Sequence, residues 1–248
     1  MSENKKAVIT GGASGLGKAA ALKLSQEGYD VVVIDRLKDG PFKDGYICCD
    51  ISDASAAAGA VDAAAHKLGG IDVIVCAAHE SLESPVEEIR EKDWDRVFGT
   101  DLIGNFFAAR AAVPYLRQSA NPCIIQISSV HARIGSGVHA AYSAAMAGVA
   151  AMSRSLAAEL QPDGIRCCTI SPYTVITEST APKLADPEWE KLMRSTVLND
   201  GLMQPEEFAE IVSYIASEKG RIFNANDLVV DGGMNVFRER PVVSAYDI

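Results

Sequence analysis

The feature that most constrains the fold is the alternation of short β-branched runs with longer segments of helical periodicity. The runs with strand character are residues 7–10, 31–34, 46–49, 73–76, 123–127, 166–170 and 228–230. The helical segments are residues 15–27, 54–68, 91–118, 139–159 and 205–217. Strands that are apolar on both faces and separated by helices indicate a parallel sheet covered on each side. Because such crossovers are right-handed, the pattern predicts a doubly wound, Rossmann-like α/β fold of about seven strands.

No internal repeat or low-complexity linker divides the 248 residues, so we expect one domain over residues 1–248. The least regular stretches are residues 171–203 and the tail 232–248. In an open α/β sheet the ligand binds beyond the carboxyl ends of the strands. A long segment that leaves the sixth strand lies over that position, and we therefore predict a substrate lid around residues 171–203.

Composition and charge exclude several classes of partner. The chain carries 33 acidic and 23 basic residues, a net charge of −10, which disfavours a nucleic acid partner. The start has no basic-then-apolar export signal, and the longest weakly polar run, residues 140–152, is shorter than the roughly 18 residues of a membrane span. Six cysteines without Cys-x-x-Cys spacing indicate buried, reduced thiols and neither zinc nor disulfides. We expect a cytoplasmic protein that binds no membrane.

A glycine-rich turn follows the first predicted strand and opens the first predicted helix. Residues 10–17 read Thr-Gly-Gly-Ala-Ser-Gly-Leu-Gly. Glycines allow a tight turn and close approach of the backbone to a diphosphate, while the helix N-terminus supplies free N–H groups. The residues expected at the diphosphate are Gly11, Ser14, Gly15, Leu16 and Gly17. A strand-to-helix turn that binds nothing is the alternative.

An acidic residue ends the second predicted strand. Asp35 lies 18 positions after Gly17, close to the interval of about 20 residues typical of a carboxylate that binds an adenosine ribose. A carboxylate accepts hydrogen bonds from both ribose hydroxyls and repels a 2′-phosphate, so NAD is favoured over NADP. The neighbouring Arg36 can moderate this preference. An ordinary polar residue at a strand end is the alternative.

With this turn and the motifs that follow, the sequence resembles the short-chain dehydrogenase/reductase family. The resemblance spans essentially the whole chain. The Thr-Gly-x-x-x-Gly-x-Gly signature stands at residues 10–17, and Ser129 precedes Tyr142 by thirteen residues, as in the family's catalytic segment. The pair Asp50-Ile51 is similar to one near the adenine, and the loop 172–177 to one at the nicotinamide carboxamide. The further cofactor contacts that the resemblance implies are Asp50, Ile51, Ala77, Tyr142 and Thr177.

The resemblance implies an NAD-dependent oxidoreductase that interconverts a secondary alcohol and a ketone. The resemblance implies that the Ser129 hydroxyl orients the substrate oxygen. It also implies that the Tyr142 hydroxyl exchanges a proton with the substrate while hydride moves to or from C4 of the nicotinamide. The cofactor supplies the chemistry, and the protein orients the reactants and handles one proton. The substrate is a small molecule, and the chain forms a homodimer or homotetramer in this reading.

The catalytic half departs from the family pattern. Met146 stands four residues after Tyr142, where relatives carry a lysine that lowers the tyrosine pKa. An unperturbed tyrosine is about one part in a thousand ionised at pH 7, so losing two or three units of pKa depression costs about 100- to 1000-fold in rate. Asp101 replaces a helix asparagine, residues 76–79 read Cys-Ala-Ala-His instead of Asn-Asn-Ala-Gly, and Tyr173 follows Pro172 in place of glycine.

The new groups suggest a substitute proton relay. We expect His79 and His131 at carboxyl ends of strands and Asp101 beneath the same pocket, where a His–Asp pair could exchange protons. Ordinary loop packing of the histidines is the alternative, and a metal site lacks any recognised spacing. Two other functions stay open: a non-redox lyase, isomerase or epimerase on the same scaffold, and a catalytically silent NAD-binding protein with a regulatory or assembly role.

Overall fold

The computed structural model describes residues 4–199 and 201–236, and within them seven parallel strands form one sheet in the order β3-β2-β1-β4-β5-β6-β7. The strands are β1 (Lys5–Thr10), β2 (Tyr29–Asp35), β3 (Tyr46–Cys48), β4 (Val73–Cys76), β5 (Cys123–Ile127), β6 (Arg166–Pro172) and β7 (Asp227–Val230). The sheet extends in opposite directions from β1 and from β4. The predicted doubly wound α/β fold is confirmed, and its crevice lies where the strand order reverses.

Helices cover both faces of the sheet. They are α1 (Gly15–Gln26), α2 (Ala54–Leu68), α3 (Glu91–Phe98), α4 (Asn105–Leu116), α5 (Ala140–Glu159), α6 (Ala181–Leu184), α7 (Pro187–Ser195) and α8 (Pro205–Ala216). Buried residues of α2, α4 and α5 form the core on one face, and those of α1 and α8 form it on the other. Many of them are alanines, because a small side chain lets a helix pack close to the sheet.

The prediction of one helix over residues 91–118 is wrong. After α3 the backbone widens into a π-helical segment at Gly99–Gly104, and α4 begins at Asn105. A Cβ at Gly104 would lie 2.5 Å from the carbonyl oxygen of Ile51, so the segment passes too close to the neighbouring backbone for any larger residue. The hydrophobic spacing of the sequence is helical on both sides of this segment, and it therefore hides the break.

The segment predicted as irregular is partly regular. Ser171 and Pro172 belong to β6, and residues 173–203, which we call the lid segment, contain α6 and α7. A bridge between Val175 and Met203 closes the segment at its base. Cys48 is exposed, against the expectation that all six thiols are buried. Of the predicted irregular tail, residues 237–248 lie outside the described residues. In the described ranges, no helix has the length and hydropathy needed to cross a membrane.

Removing the side chain of Asp53 should destabilise the fold. Its carboxylate caps α2 by accepting hydrogen bonds from the N–H groups of Ser55 and Ala56 at 2.8 and 2.9 Å. We expect Asp53→Ala to lower the free energy of unfolding in urea by about 1 kcal/mol. Ser14 stands at the same position of α1 without a side-chain cap, so Ser14→Ala is the matched control. An equal loss in both variants would contradict the prediction.

Candidate functional site

A cleft of about 680 Å³ opens at the carboxyl ends of the central strands. Every predicted cofactor and catalytic residue except Asp101 lines it. The glycine-rich turn and Asp35 lie at one end, Ser129 and Tyr142 lie at the other, and the lid segment contributes residues between them. The cleft thus unites the two groups of residues that the sequence pattern selects.

The glycine-rich turn has the tight geometry that its sequence predicts. Gly11 has a φ of +67°, and a Cβ there would lie 2.6 Å from the backbone nitrogen of Ala78. A Cβ at Gly17 would lie 2.2 Å from the carbonyl oxygen of Gly11. Side chains are excluded at both positions, so the N-terminus of α1 faces the cleft with bare backbone. Ser14 at the N-cap makes no capping bond to the helix.

A carboxylate from the lid segment occupies this helix N-terminus. Glu178 Oε2 accepts a hydrogen bond from the Gly15 N–H at 3.1 Å, and its Oε1 lies 3.3 Å from Lys18 Nζ. Backbone hydrogen bonds, that from Gly15 among them, lower the pKa of Glu178, with Lys18 acting in the same direction. The sequence analysis missed this residue, although an acid next to Thr177 in the predicted lid was a visible signal. The turn therefore binds an anionic side chain of the same chain.

Asp35 supports the turn as well as facing the cleft. Its Oδ2 accepts a hydrogen bond from the Ala13 N–H at 3.0 Å, and its Oδ1 accepts one from the Leu37 N–H at 3.0 Å. A carboxylate has about four lone-pair positions, so both oxygens retain acceptor capacity toward a ligand. Asp50 also lines the cleft and accepts a hydrogen bond from the Ser52 N–H, which lowers the pKa of Asp50.

Ser129 and Tyr142 meet at the other end of the cleft. Ser129 follows β5, and its Oγ accepts a hydrogen bond from the His131 N–H at 3.2 Å. Burial raises the pKa of Tyr142 to about 12, while a hydrogen bond with the Ser129 side chain acts in the opposite direction. The phenol therefore keeps its proton at neutral pH. Met146, one helical turn along α5, is 2% exposed and lines the cleft without supplying a charge.

Two histidine rings flank the tyrosine. The rings of His131 and His139 stack with their centroids 4.7 Å apart, and the His131 ring meets the Tyr142 ring edge-on at 5.9 Å. Burial, and then the neighbouring His139, lower the pKa of His131 to about 4, so His131 is neutral at physiological pH. His139 was missed by the sequence analysis; its Nε2 lies 3.7 Å from Glu83 Oε1.

The predicted pairing of Asp101 with a histidine is wrong. Asp101 is fully buried, its Oδ1 accepts a hydrogen bond from the Glu80 N–H at 2.6 Å, and its Oδ2 has no partner in the described part of the chain. Burial raises the pKa of Asp101 to about 8. The group is therefore mostly an uncharged acid at neutral pH and cannot raise the pKa of His131. His79 lies exposed in the cleft instead.

An asparagine absent from our predictions organises the centre of the site. Asn105 Nδ2 donates to the carbonyl oxygens of Ala78 and Asp101, both at 2.9 Å, and its Oδ1 accepts from Thr10 Oγ1 at 3.2 Å. These bonds join β1, the loop after β4 and the π-helical segment. No group of residues suited to a metal ion occurs in residues 4–199 and 201–236.

Comparison with known proteins agrees with this architecture. Residues 11–235 match a family described as enoyl-(acyl carrier protein) reductase. D-threitol dehydrogenase of Mycolicibacterium smegmatis is 31% identical over 246 residues, 94% of each chain. L-rhamnose 1-dehydrogenase (NAD(P)(+)) of Sphingomonas sp. is 31% identical over 252 residues, 94% of this chain and 97% of that protein. A structure of 3-ketoacyl-(acyl-carrier-protein) reductase from Brucella melitensis complexed with NADH has a TM-score of 0.85 at 26% identity, covering 94% of this chain and 99% of that one.

The chain belongs to the short-chain dehydrogenase/reductase family, and it is an oxidoreductase of that family. The breadth of the match supports this, since it includes the glycine-rich turn, the Ser129–Tyr142 segment and the lid segment alike.

The buried Asp101 should make stability depend on pH. Its pKa is raised in the folded state, so between about pH 4 and pH 8 the folded protein holds a proton that the unfolded chain has released. This contribution is complete below pH 4 and is lost as the pH rises to 8. Asp101→Asn has no such group. As the pH rises through this window, we expect the free energy of unfolding of Asp101→Asn in urea to increase relative to that of the parent by up to about 1.4 kcal/mol per pH unit.

The exposed Asp95 on α3 provides the control for this series. Asp95→Asn should shift the parent curve by a constant amount. A difference between Asp101→Asn and the parent that does not change with pH would contradict the assignment of a buried neutral acid.

Proposed function

We propose that the protein is an NAD-dependent oxidoreductase that interconverts a secondary alcohol and a ketone, with a proton relay that differs from the family pattern. The observation that carries the proposal is the placement of the Ser129–Tyr142 pair in the same cleft as the anion-binding turn. When bound, the nicotinamide supplies the hydride acceptor or donor. Ser129 then orients the substrate oxygen, and Tyr142 exchanges a proton with that oxygen.

The cleft offers fitting contacts along the length of a dinucleotide. The free N–H groups of the turn suit the diphosphate, and Asp35 retains acceptor capacity for ribose hydroxyls. Thr177, next to Glu178 in the lid segment, suits the nicotinamide end in our proposal. Asp50, Ile51 and Ala77 line the cleft and are assigned to the adenosine half.

The lid segment and its neighbours favour a small polar substrate. Lys183 of α6 forms an ion pair with Glu83 in the loop after β4, so the segment is tied across the cleft. Glu83, His131 and Tyr173 bring polar atoms to the reacting end. The relatives named for D-threitol and L-rhamnose suggest a substrate with several hydroxyl groups. We also propose that the chain is a single domain with this lid. In the same proposal, the protein is cytoplasmic and forms a homodimer or homotetramer.

The proton relay is the weak point of this enzyme in our proposal. The Tyr142 phenol has a pKa of about 12, and the adjacent groups Met146, His131 and Asp101 supply no positive charge at neutral pH. Proton removal by Tyr142 is therefore slow unless the pH is high. We expect low turnover that increases with pH through the alkaline range.

Restoring a cation beside Tyr142 should accelerate turnover. We expect Met146→Lys to raise kcat by at least about tenfold at pH 7, because an ammonium one helical turn from the phenol lowers its pKa. Formation of NADH from NAD and a panel of polyols and sugars is the assay. Met152→Lys, on the same helix but outside the cleft, is the control, and thermal unfolding reports on folding.

Tyr142→Phe should abolish the activity of both the parent and Met146→Lys. If the parent and Met146→Lys both bind NADH saturably but neither turns over, the proposed reaction is contradicted and the silent NAD-binding protein is supported. Absence of NADH binding would contradict the proposed cofactor.

The cofactor diphosphate should have to displace Glu178. We expect Glu178→Gln to tighten NADH binding by about threefold to tenfold, since a charged but exposed contact no longer competes. Glu178→Asp keeps the charge but is one methylene shorter, so it should also bind NADH more tightly. Glu188→Gln on α7 is the control. If Glu178→Asp binds NADH as the parent does, the negative charge near the turn weakens NADH binding, and the contact of the side chain with the turn does not.

A further inference from the structure

A buried glutamate lines the cleft and contacts two arginines. Glu80 follows β4, and its side chain is 8% exposed although it carries a charge. Its Oε1 forms an ion pair with Arg36 Nη1, and its Oε2 lies 3.1 Å from Arg96 Nη1. Its backbone N–H donates to Asp101 at 2.6 Å. A buried carboxylate held by two arginines, on a backbone that is itself hydrogen-bonded to Asp101, has little freedom to change partners.

Arg36 is the cation whose position matters for the cofactor. It directly follows Asp35, and both line the cleft. A carboxylate at the end of the second strand suits the ribose of NAD, and a nearby arginine suits the 2′-phosphate of NADP. The chain therefore carries the two opposed determinants side by side. The sequence analysis favours NAD because of Asp35, with Arg36 able to moderate that preference, and the structure shows Arg36 engaged by Glu80.

We propose that Glu80 is a specificity-determining residue, which holds Arg36 in an ion pair and so withholds it from a 2′-phosphate. This inference rests on the proposed function and adds a second determinant to Asp35. If Arg36 moved to a phosphate, Glu80 would stay buried with Arg96 as its remaining cation, which is unfavourable. With Glu80 in place, a 2′-phosphate would meet the charge of Asp35 and a guanidinium that is already neutralised.

The proposal predicts that Asp35 and Glu80 act together. Neutralising Asp35 removes the repulsion but leaves Arg36 engaged, and neutralising Glu80 frees Arg36 but leaves the repulsion. Neither change alone should recruit NADPH well. Both changes together should expose a cation to the phosphate with no competing carboxylate, and charge-assisted arginine–phosphate bonds are strong.

The test is a double-mutant cycle on NADPH and NADH affinity, measured by the fluorescence of the reduced nucleotide. The four proteins are the parent, Asp35→Asn, Glu80→Gln and the double variant. We expect the double variant to bind NADPH at least about tenfold more tightly than the product of the two single effects predicts. Adding Arg36→Gln to the double variant should remove that gain.

Arg96→Gln is the matched control, because it breaks the other ion pair of Glu80 and leaves Arg36 engaged. It should not increase NADPH affinity in the Asp35→Asn background. A further pair of proteins leaves Glu80 untouched, in case its replacement unfolds the chain. Since Arg36 is withheld, Asp35→Asn and Asp35→Asn/Arg36→Gln should bind NADPH equally.

Two results would overturn the inference. One is an additive cycle, in which the double variant gains no more NADPH affinity than the product of the two single effects predicts. The other is a loss of NADPH affinity of about tenfold when Arg36→Gln is added to Asp35→Asn, which would show that Arg36 already reaches the phosphate. Neither result affects the proposed function as long as the parent binds NADH. Failure of every variant to bind either nucleotide would contradict the proposed function itself.

Discussion

The backbone N–H groups at the N-terminus of α1 are the constraint around which this site is arranged. Close backbone contacts exclude side chains at Gly11 and Gly17, so these donors face the cleft and need an acceptor. Asp35 accepts from Ala13 within the turn, and Glu178 accepts from Gly15. Acids at the end of β2 and in the lid segment therefore meet at one helix end, where a diphosphate fits equally well.

The surroundings of Tyr142 have the opposite character, because the buried ionisable groups there are kept uncharged. Burial favours the neutral forms of Tyr142, His131 and Asp101, with pKa values of about 12, 4 and 8. Here Met146 lies within an apolar cluster with Val97 and Val149. The residues around Tyr142 therefore supply packing and no positive charge.

Sequence periodicity was sufficient for the sheet, for the turn and for α1, α2, α5 and α8, since each depends on local spacing or on glycine. It failed where the deciding contact joins distant residues. The π-helical break before Asn105 depends on the approach of Ile51, and the contact of Glu178 with Gly15 spans 163 positions. His139 was missed, and Asp101 was misjudged because its complete burial, which raises its pKa, is a property of the packed fold. Charged residues in loops do not recur at a regular spacing, so the sequence does not indicate which distant residue each of them contacts.

Glu178 belongs to the same chain as the turn that it contacts, and this covalent connection gives the turn selectivity among anions. A carboxylate that belongs to the same chain competes at an effective concentration in about the millimolar range, whatever the composition of the surrounding solution. An isolated inorganic anion must outcompete it with the contacts of the turn alone. A dinucleotide brings two nucleosides as well, and their contacts along the cleft offset the loss of the Glu178 bond. The enzyme can therefore ignore common small anions while still admitting the larger molecule.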